Sequence, residues 1–89
     1  MVNYNHTETY LQNDGWFHLE LHWTTPGGEK KTKSLAGLGF GTYSFEGNKY
    51  GYTDVYVTGP GGTRWDIELD KGHSYEWYGP IWNQQVRIE

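Results

Sequence analysis

The chain has 89 residues, a formal net charge of −4 and no cysteine. A length of this order accommodates one domain, so we assign residues 1–89 to a single domain. The missing cysteines exclude disulfide bonds and thiolate metal sites, and the negative charge argues against a general nucleic-acid-binding protein.

The sequence contains no recognisable targeting segment. Its first residues lack the charged and apolar regions of a signal peptide, and no apolar run approaches the ~20 residues that a membrane-spanning helix requires. We therefore expect a soluble protein, either cytoplasmic or secreted after removal of a leader, and the sequence does not distinguish these two localisations.

The composition favours strands and turns. The chain has 13 glycines, five tryptophans, eight tyrosines and three phenylalanines. Apolar and polar residues alternate repeatedly, which is the period of a β-strand, and no stretch carries helix signals. In a small domain without disulfides the aromatic rings supply much of the core, because each ring can bury ~150–250 Å².

The first two predicted strands form a hairpin. Thr7–Leu11 alternates apolar and polar residues, Asn13-Asp14-Gly15 fits a three-residue hairpin loop, and Trp16–Trp23 is the clearest strand of the chain. This loop length places Leu11 opposite Phe17. The second strand has an apolar face formed by Phe17, Leu19, Leu21 and Trp23, and an opposite face formed by Trp16, His18, Glu20 and His22.

A long third strand is predicted after the turn at Thr25–Gly28, where proline and glycine occupy the positions that a type II turn requires. Closing this turn with four residues pairs Leu21 with Thr32 and keeps the neighbouring lysines out of the core. The strand continues through Ser34–Tyr43, with Ala36, Leu38 and Phe40 facing the core and Gly37, Gly39 and Gly41 on the opposite face. We expect these glycines to curl the strand and to let a ring, a ligand or another backbone approach closely.

The following two turns extend the same apolar face. A turn near residue 47 brings the next strand back onto the third and sets Phe40 against Val55. The turn at Gly59–Gly62 contains a second Pro-Gly-Gly, and a loop one residue longer or shorter than the first sets Val57 against Trp65. In both pairs an apolar side chain faces an apolar side chain, as a buried face requires.

Residues 71–88 complete the sheet. Lys71-Gly72-His73 closes a further hairpin, and Gly79-Pro80 interrupts the chain before a last strand. That strand presents Trp82, Gln84, Val86 and Ile88 on its inner face. The whole is an all-β antiparallel meander of about 6–8 strands with one apolar face, which must be buried by closing or folding the sheet. A small barrel is the favoured closure, and a two-layer β-sandwich is the alternative.

The face opposite the core predicts a binding surface. In the predicted register Trp16 lies opposite Gly37 and Tyr56 lies opposite Gly39, so that rings stand around a floor of glycine. Aromatic rings stack on the apolar faces of sugars and carboxylates bind the hydroxyl groups, so this composition is typical of carbohydrate recognition. The alternative is that the rings only cover exposed backbone. The predicted ligand-binding residues are Trp16, Tyr43, Tyr52, Asp54, Tyr56 and Asp66, with Tyr78 and Trp82 as a second cluster beside the Gly79-Pro80 break.

His18, Glu20 and His22 alternate on one strand face and are weak candidates for a metal site, since imidazole and carboxylate suit zinc, nickel or copper. In the predicted register Lys33 faces Glu20 and Lys31 faces His22, which favours ordinary ion pairing instead. We therefore predict no metal and no cofactor. The sequence shows no nucleophile constellation and offers little depth to shield a catalytic acid, so we predict no enzymatic activity.

The sequence thus predicts a non-catalytic binding domain. The leading interpretation is a lectin or carbohydrate-binding module, with a carbohydrate or glycoconjugate as its partner. The alternative is a toxin-like, membrane-surface or protein-inhibitor domain whose exposed rings meet lipid or another protein. Nucleic acid is not an expected partner, and an unpaired edge strand such as the last one offers a way to join two copies of the chain.

Overall fold

A computed structural model describes residues 8–88 of the chain, which form an all-β domain of eight strands. The strands are β1 (Thr9–Asn13), β2 (Leu19–Thr24), β3 (Lys30–Leu35), β4 (Gly41–Phe45), β5 (Thr53–Thr58), β6 (Arg64–Asp66), β7 (Ser74–Tyr78) and β8 (Gln85–Ile88). Short 3₁₀ helices lie at Pro60–Gly62, Leu69–Lys71 and Ile81–Asn83. No helix in this part of the chain is long and apolar enough to cross a membrane. Thr7, which the sequence places in the first strand, lies outside the described residues.

The strands form two four-stranded sheets. The first sheet has the order β4-β1-β7-β8, and the second sheet has the order β3-β2-β5-β6. β1 and β7 run parallel, and the other neighbouring strands are antiparallel. The all-β class is confirmed, and the two sheets fit the predicted sandwich alternative, because residues 8–88 do not close into a barrel. The strand order also differs from that of a simple meander, since both sheets contain neighbours that are distant in the chain.

The core lies between the two sheets and is built from their inward-facing residues. The buried apolar side chains are Leu11, Leu19, Leu21, Leu35, Phe45, Val55, Val57, Ile67, Leu69, Tyr75 and Trp77. Fully burying one large aliphatic or aromatic side chain contributes ~1.5–3 kcal/mol, so this layer holds the two sheets together. Most of these core residues lie on the strands, and the segments that connect the strands at the ends of the sandwich contribute little to the core.

The predicted hairpin between the first two strands is wrong. β1 pairs with β4 on one side and with β7 on the other, whereas β2 belongs to the second sheet. Leu11 is still buried, but it faces the second sheet across the core. The alternation of apolar residues does not separate these cases, because pairing within a sheet and packing between sheets both set apolar residues opposite apolar residues.

The predicted long strand through Ser34–Tyr43 consists of two strands joined by a tight loop, since β3 ends at residue 35 and β4 begins at residue 41. In this loop Leu38 and Gly39 adopt left-handed φ angles of 60° and 85°, which a strand does not contain. The prediction that Ala36, Leu38 and Phe40 face the core is therefore wrong, and all three side chains are exposed.

The loop glycines permit close backbone approach. A Cβ on Gly41 would lie 2.3 Å from Ala36 N, and a Cβ on Gly37 would lie 2.6 Å from Gly15 O. Neither distance leaves room for a side chain. The expectation of a close approach at these glycines is confirmed, but backbone fills the space, and the predicted glycine floor beneath a ring is not formed.

The register between β2 and β3 is shifted by one residue from the prediction. Leu21 pairs with Lys33 rather than with Thr32, so Lys33 shares the core-facing side of the sheet. Its ammonium group nevertheless reaches solvent because β3 is an edge strand, and Nζ lies 5.8 Å from the ring centroid of Tyr43. A long side chain at a sheet edge can cover apolar surface and keep its charge in water, which makes this register acceptable.

The remaining strand pairings divide into confirmed and wrong predictions. Val57 pairs with Trp65 as predicted. The pairing of Phe40 with Val55 is wrong, because β4 pairs with β1 while β5 pairs with β2. The segment Lys71–His73 does not close a hairpin either, since β6 lies in the second sheet and β7 in the first.

The last strand is partly as predicted. β8 pairs with β7 and sets Val86 opposite Trp77, and the half-buried Val86 packs against the core. Trp82 and Ile88 are exposed, so their predicted inward orientation is wrong. Trp82 lies in the 3₁₀ helix before β8, where the alternation of a strand does not apply.

Candidate functional site

Three connecting segments meet at one end of the sandwich. They are residues 14–18 between β1 and β2, 36–40 between β3 and β4, and 79–84 between β7 and β8. A backbone hydrogen bond from Leu38 N to Gly15 O at 2.7 Å joins the first two segments, and a second from Gly39 N to Asn13 O at 2.8 Å ties the second segment to the end of β1. The third segment lies against the first, because a Cβ on Gly15 would be 3.4 Å from Gly79 O.

Five large apolar side chains on these segments are exposed to solvent. We call them the apolar tip, and they are Trp16, Leu38, Phe40, Ile81 and Trp82. Phe40 and Trp82 are each 82% exposed, and Trp16 is 67% exposed. The rings of Trp16 and Trp82 meet edge to face, with centroids 6.4 Å apart and planes at 90°. Single exposed apolar residues are normal, but a group of them at one end of a small domain makes that end a candidate interaction site.

A buried asparagine fixes the base of the apolar tip. Asn13 Nδ2 donates to Phe17 O and to Leu35 O, each at 2.8 Å, and Asn13 Oδ1 accepts a hydrogen bond from Gly15 N at 3.0 Å. One side chain thus satisfies three backbone groups at the start of two of the connecting segments. Buried polar groups of this kind need such partners, so Asn13 holds these segments in one conformation.

The electrostatics at the base of the tip are dominated by an acid pair. Within residues 14–18, 36–40 and 79–84 the sequence has one carboxylate, Asp14, and no lysine or arginine. A hydrogen bond to Glu76 on β7 and partial burial raise the pKa of Asp14 to about 6. Arg87 on β8 binds Glu76 through Nε at 3.1 Å and through a second contact from Nη2. Hydrogen bonds from Asp14 and Arg87 lower the pKa of Glu76, so Glu76 keeps the charge while Asp14 takes up a proton in mild acid.

The Asp14 carboxyl is expected to make stability depend on pH. Its folded-state pKa of about 6 lies above the ordinary 3.8, so the folded state binds more protons between these values and the free energy of unfolding falls as pH rises through this window. The lowered pKa of Glu76 acts in the opposite direction only below its ordinary 4.5. In Asp14→Asn the decrease between pH 4.5 and about 6 should be lost, which urea unfolding at a series of pH values measures. Asp70→Asn, at an exposed position, is the control, and an undiminished decrease in Asp14→Asn would contradict the assignment.

Tyr43 and Tyr52, two predicted ligand-binding residues, lie in a cluster of rings that packs on the core. Tyr43 stacks on Trp23 with centroids 5.6 Å apart, and Phe45 lies 4.8 Å from Tyr43 and 5.8 Å from Tyr52. Burial raises the pKa of Tyr43, with a smaller contribution from Tyr52. The structure brings these two tyrosines together with other rings and not with Trp16.

Asp54, Tyr56 and Asp66 lie together on the outer face of the second sheet, beside a cavity of about 430 Å³ that we call the outer groove. The polar and aromatic side chains that line the outer groove include His22, Lys30, Lys31, Thr32, Asp54, Tyr56 and Arg64. The Tyr56 ring is covered from both flanking strands. His22 on β2 stacks on it at 4.6 Å, and the Arg64 guanidinium on β6 lies 3.8 Å from its centroid. Polar groups therefore line the outer groove, but the faces of the Tyr56 ring are not free for a sugar.

Tyr78 remains apart from the apolar tip. Its hydroxyl donates to Gln85 Oε1 at 3.0 Å, and the Arg87 guanidinium lies 5.4 Å from its ring centroid. Of the second predicted cluster, Trp82 therefore joins Trp16, while Tyr78 packs against β8.

The predicted weak metal candidates do not form a cluster. Within residues 8–88, no group of three or more histidine, aspartate or glutamate side chains is arranged to hold a metal ion. His18 precedes β2, while His22 Nε2 lies 2.8 Å from Thr58 Oγ1 and 3.7 Å from Glu20. The predicted pairing of Glu20 with Lys33 is wrong because the β2–β3 register is shifted.

Sequence reasoning found two of the five tip residues, Trp16 and Trp82. It missed Leu38 and Phe40 because strand alternation assigned them to the core, although an apolar residue between two glycines is also a loop signal. Ile81 follows Gly79-Pro80, which marked a break, so its position at a loop was recognisable. The role of Asn13 has no sequence signal, because an asparagine before Asp-Gly is also typical of an ordinary turn.

No family model and no curated protein matches this chain. A solved structure that resembles it is the crystal structure of the human-specific toxin intermedilysin, with a TM-score of 0.46 and 15% sequence identity. The match covers 99% of this chain and 24% of that chain, so this chain spans less than a third of that protein. A similarity at this level does not assign a function.

Proposed function

We propose that this protein is a non-catalytic binding domain that docks end-on into the interface of a lipid membrane through its apolar tip. The observation that supports this proposal is the grouping of five exposed apolar side chains at one end of the sandwich. A leucine, isoleucine or phenylalanine side chain contributes up to ~1.5–3 kcal/mol when it leaves water completely, and the larger tryptophan ring contributes more. The free energy gained when several of them insert even partially is therefore larger than the free energy lost as the protein gives up translational and rotational freedom on the membrane.

The chemistry of the tip favours lipid over sugar. Leu38 and Ile81 are aliphatic and offer no hydrogen-bonding side chain, which suits hydrocarbon and not hydroxyl groups. Trp16 and Trp82 are amphipathic rings of the kind enriched at membrane–water interfaces, and their perpendicular planes do not make a flat sugar platform. Because the tip segments carry one carboxylate, little charge approaches the bilayer on docking.

Flotation with vesicles tests this function. The protein is mixed with neutral phosphatidylcholine vesicles and separated on a density gradient, and tryptophan emission is recorded in parallel. We expect saturable flotation at ~1 mM lipid or below, with a blue shift of the emission as the exposed rings leave water. Protein that stays at the bottom of the gradient at tenfold higher lipid would contradict the proposal.

Carbohydrate recognition is the second candidate function, and the outer groove favours it. Asp54 and the hydroxyl of Thr32 lie there beside histidine and cationic side chains, so acceptors and donors for sugar hydroxyls are both present. The proposed partners are thus a membrane surface and, at the outer groove, a glycoconjugate. Pairing of two copies through an edge strand such as β8 stays a prediction, as does the absence of enzymatic activity.

A further inference from the structure

The outer groove is built across all four strands of the second sheet. His22 on β2 pairs with Thr32 on β3 on one side and with Tyr56 on β5 on the other, and Tyr56 pairs with Asp66 on β6. Since residues at paired positions share a face, these four side chains form one row on the outside of the sheet. The row lies away from the apolar tip, toward the turn that joins β2 to β3.

A β-bulge shapes one wall of the outer groove. The pairing between β2 and β5 shifts between His22 and Thr24, and within this irregularity Asp54 adopts a left-handed φ of 51°. A residue with a side chain tolerates this conformation only at a cost, although aspartate tolerates it better than most. Bulges of this kind re-aim a side chain next to functional sites, and Asp54 lines the outer groove.

Cationic groups outnumber acids in the lining, in a chain whose net charge is −4. Lys30, Lys31 and Arg64 line the outer groove with Asp54 as the acid. Lys31 is paired with Glu29 at 2.9 Å, whereas Lys30 makes no ion pair within residues 8–88. Arg64 is paired with Asp66, so Lys30 is the cation of the outer groove that no ion pair engages within residues 8–88.

Arg64 is held in a defined orientation. Its guanidinium lies 3.8 Å from the Tyr56 centroid, and on one edge Nε donates to Asp66 Oδ1 at 3.1 Å while Nη2 lies 3.0 Å from the same oxygen. Stacking on Tyr56 and the ion pair with Asp66 together fix the plane of the guanidinium and the directions of its N–H donors. Since Asp66 holds the Nε edge, the donors at the Nη1 and Nη2 end remain for a ligand, and a planar pair of this kind can bind the two oxygens of a carboxylate through parallel hydrogen bonds.

We propose that the outer groove binds a carboxylate-bearing saccharide. Lys30 and Arg64 bind the carboxylate, and Asp54 and Thr32 bind neighbouring hydroxyl groups. Asp54 disfavours a phosphate, because a doubly charged group beside a carboxylate is repelled more strongly than a singly charged one. This inference rests on the second candidate function, carbohydrate recognition, and is independent of the apolar tip.

Calorimetric titration of the intact protein with 3′-sialyllactose and lactose tests this inference. The two probes differ by one acidic sugar, and inorganic phosphate is titrated as a third probe. We expect sialyllactose to bind the wild type at least ~10-fold more tightly than lactose, as a charge-assisted hydrogen bond implies. Lys30→Gln and Arg64→Gln should each remove most of that difference. Lys71→Gln, which makes the same charge change outside the outer groove, should keep it.

Two further controls keep the test decisive. Arg64→Lys retains the charge without the planar fork and should bind sialyllactose more weakly than the wild type but more tightly than Arg64→Gln. Thermal unfolding of every variant confirms that it is folded. Equal binding of lactose and sialyllactose would overturn the inference and leave carbohydrate recognition standing. Binding of neither sugar, or of phosphate in preference to both, would overturn the inference and the second candidate function together, whereas vesicle flotation reports on the apolar tip alone.

Discussion

Replacing Trp16 and Trp82 together by alanine is expected to weaken binding to phosphatidylcholine vesicles by at least ~100-fold. Each ring can remove ~150–250 Å² from water, which at ~25 cal/mol per Å² amounts to several kcal/mol when the ring is fully inserted. A ~100-fold change in affinity corresponds to ~2.8 kcal/mol, since each ~1.4 kcal/mol is tenfold. The two rings together reach this value when each buries less than half of its area in the membrane. Flotation over a range of lipid concentrations measures the change.

The stability of the folded protein should be nearly unaffected by this double substitution. Trp16 and Trp82 are exposed and contact each other rather than the core, so Trp16→Ala/Trp82→Ala should unfold at a urea concentration close to that of the wild type. Tyr50→Ala is the matched control, because Tyr50 is a 54% exposed ring on the segment between β4 and β5, at the other end of the sandwich. Wild-type affinity of the double variant, or an equal loss in Tyr50→Ala, would contradict the role of the tip.

Replacing Asn13 by alanine is expected to destabilise the fold by ~3 kcal/mol or more. The substitution removes the only side chain that bonds Phe17 O, Leu35 O and Gly15 N within residues 8–88. Each buried polar group left without a partner costs ~1–3 kcal/mol. Asn13 is fully buried, so water cannot readily replace the lost bonds without entering the core.

Urea unfolding measures this effect, and Asn48 provides the control. Asn48 is exposed, and its side chain makes no hydrogen bond within residues 8–88, so Asn48→Ala should change the free energy of unfolding by no more than ~0.5 kcal/mol. Asn13→Asp should also be destabilising, since a carboxylate retains the acceptor for Gly15 N but sets oxygen against two carbonyl oxygens. A wild-type midpoint for Asn13→Ala would show that Asn13 does not hold the tip segments.

The parts of the fold that the sequence predicts correctly are local. The Val57–Trp65 pairing joins strands connected by one short turn, so few alternative partners compete for it. The parallel pairing of β1 with β7 joins residues more than 60 positions apart, and no local signal selects it. Apolar alternation identifies which residues of β1 are buried, but it does not identify which strand lies beside them.

The residues of the candidate sites are also predicted correctly where neighbouring strands bring them together and incorrectly where distant segments do. The sequence predicts that Asp54, Tyr56 and Asp66 lie on one face, and they do so because a short turn joins β5 to β6. Tyr43 and Tyr52 lie elsewhere. Their predicted positions depend on one continuous strand through residues 34–43, and in the structure a loop divides this segment between β3 and β4. The apolar tip was only partly predicted, because its segments become neighbours through the packing of two sheets and through the side chain of Asn13.

Depth-dependent quenching of tryptophan fluorescence tests the central claim most directly. The protein is bound to phosphatidylcholine vesicles whose acyl chains carry bromine near the headgroup or deep in the bilayer. Trp23, Trp65 and Trp77 pack on or within the core, whereas Trp16 and Trp82 are exposed at the tip, so insertion predicts quenching by shallow bromine that disappears in Trp16→Ala/Trp82→Ala. Vesicle-bound protein whose emission is not quenched, or whose quenching persists in the double variant, would contradict docking through the apolar tip.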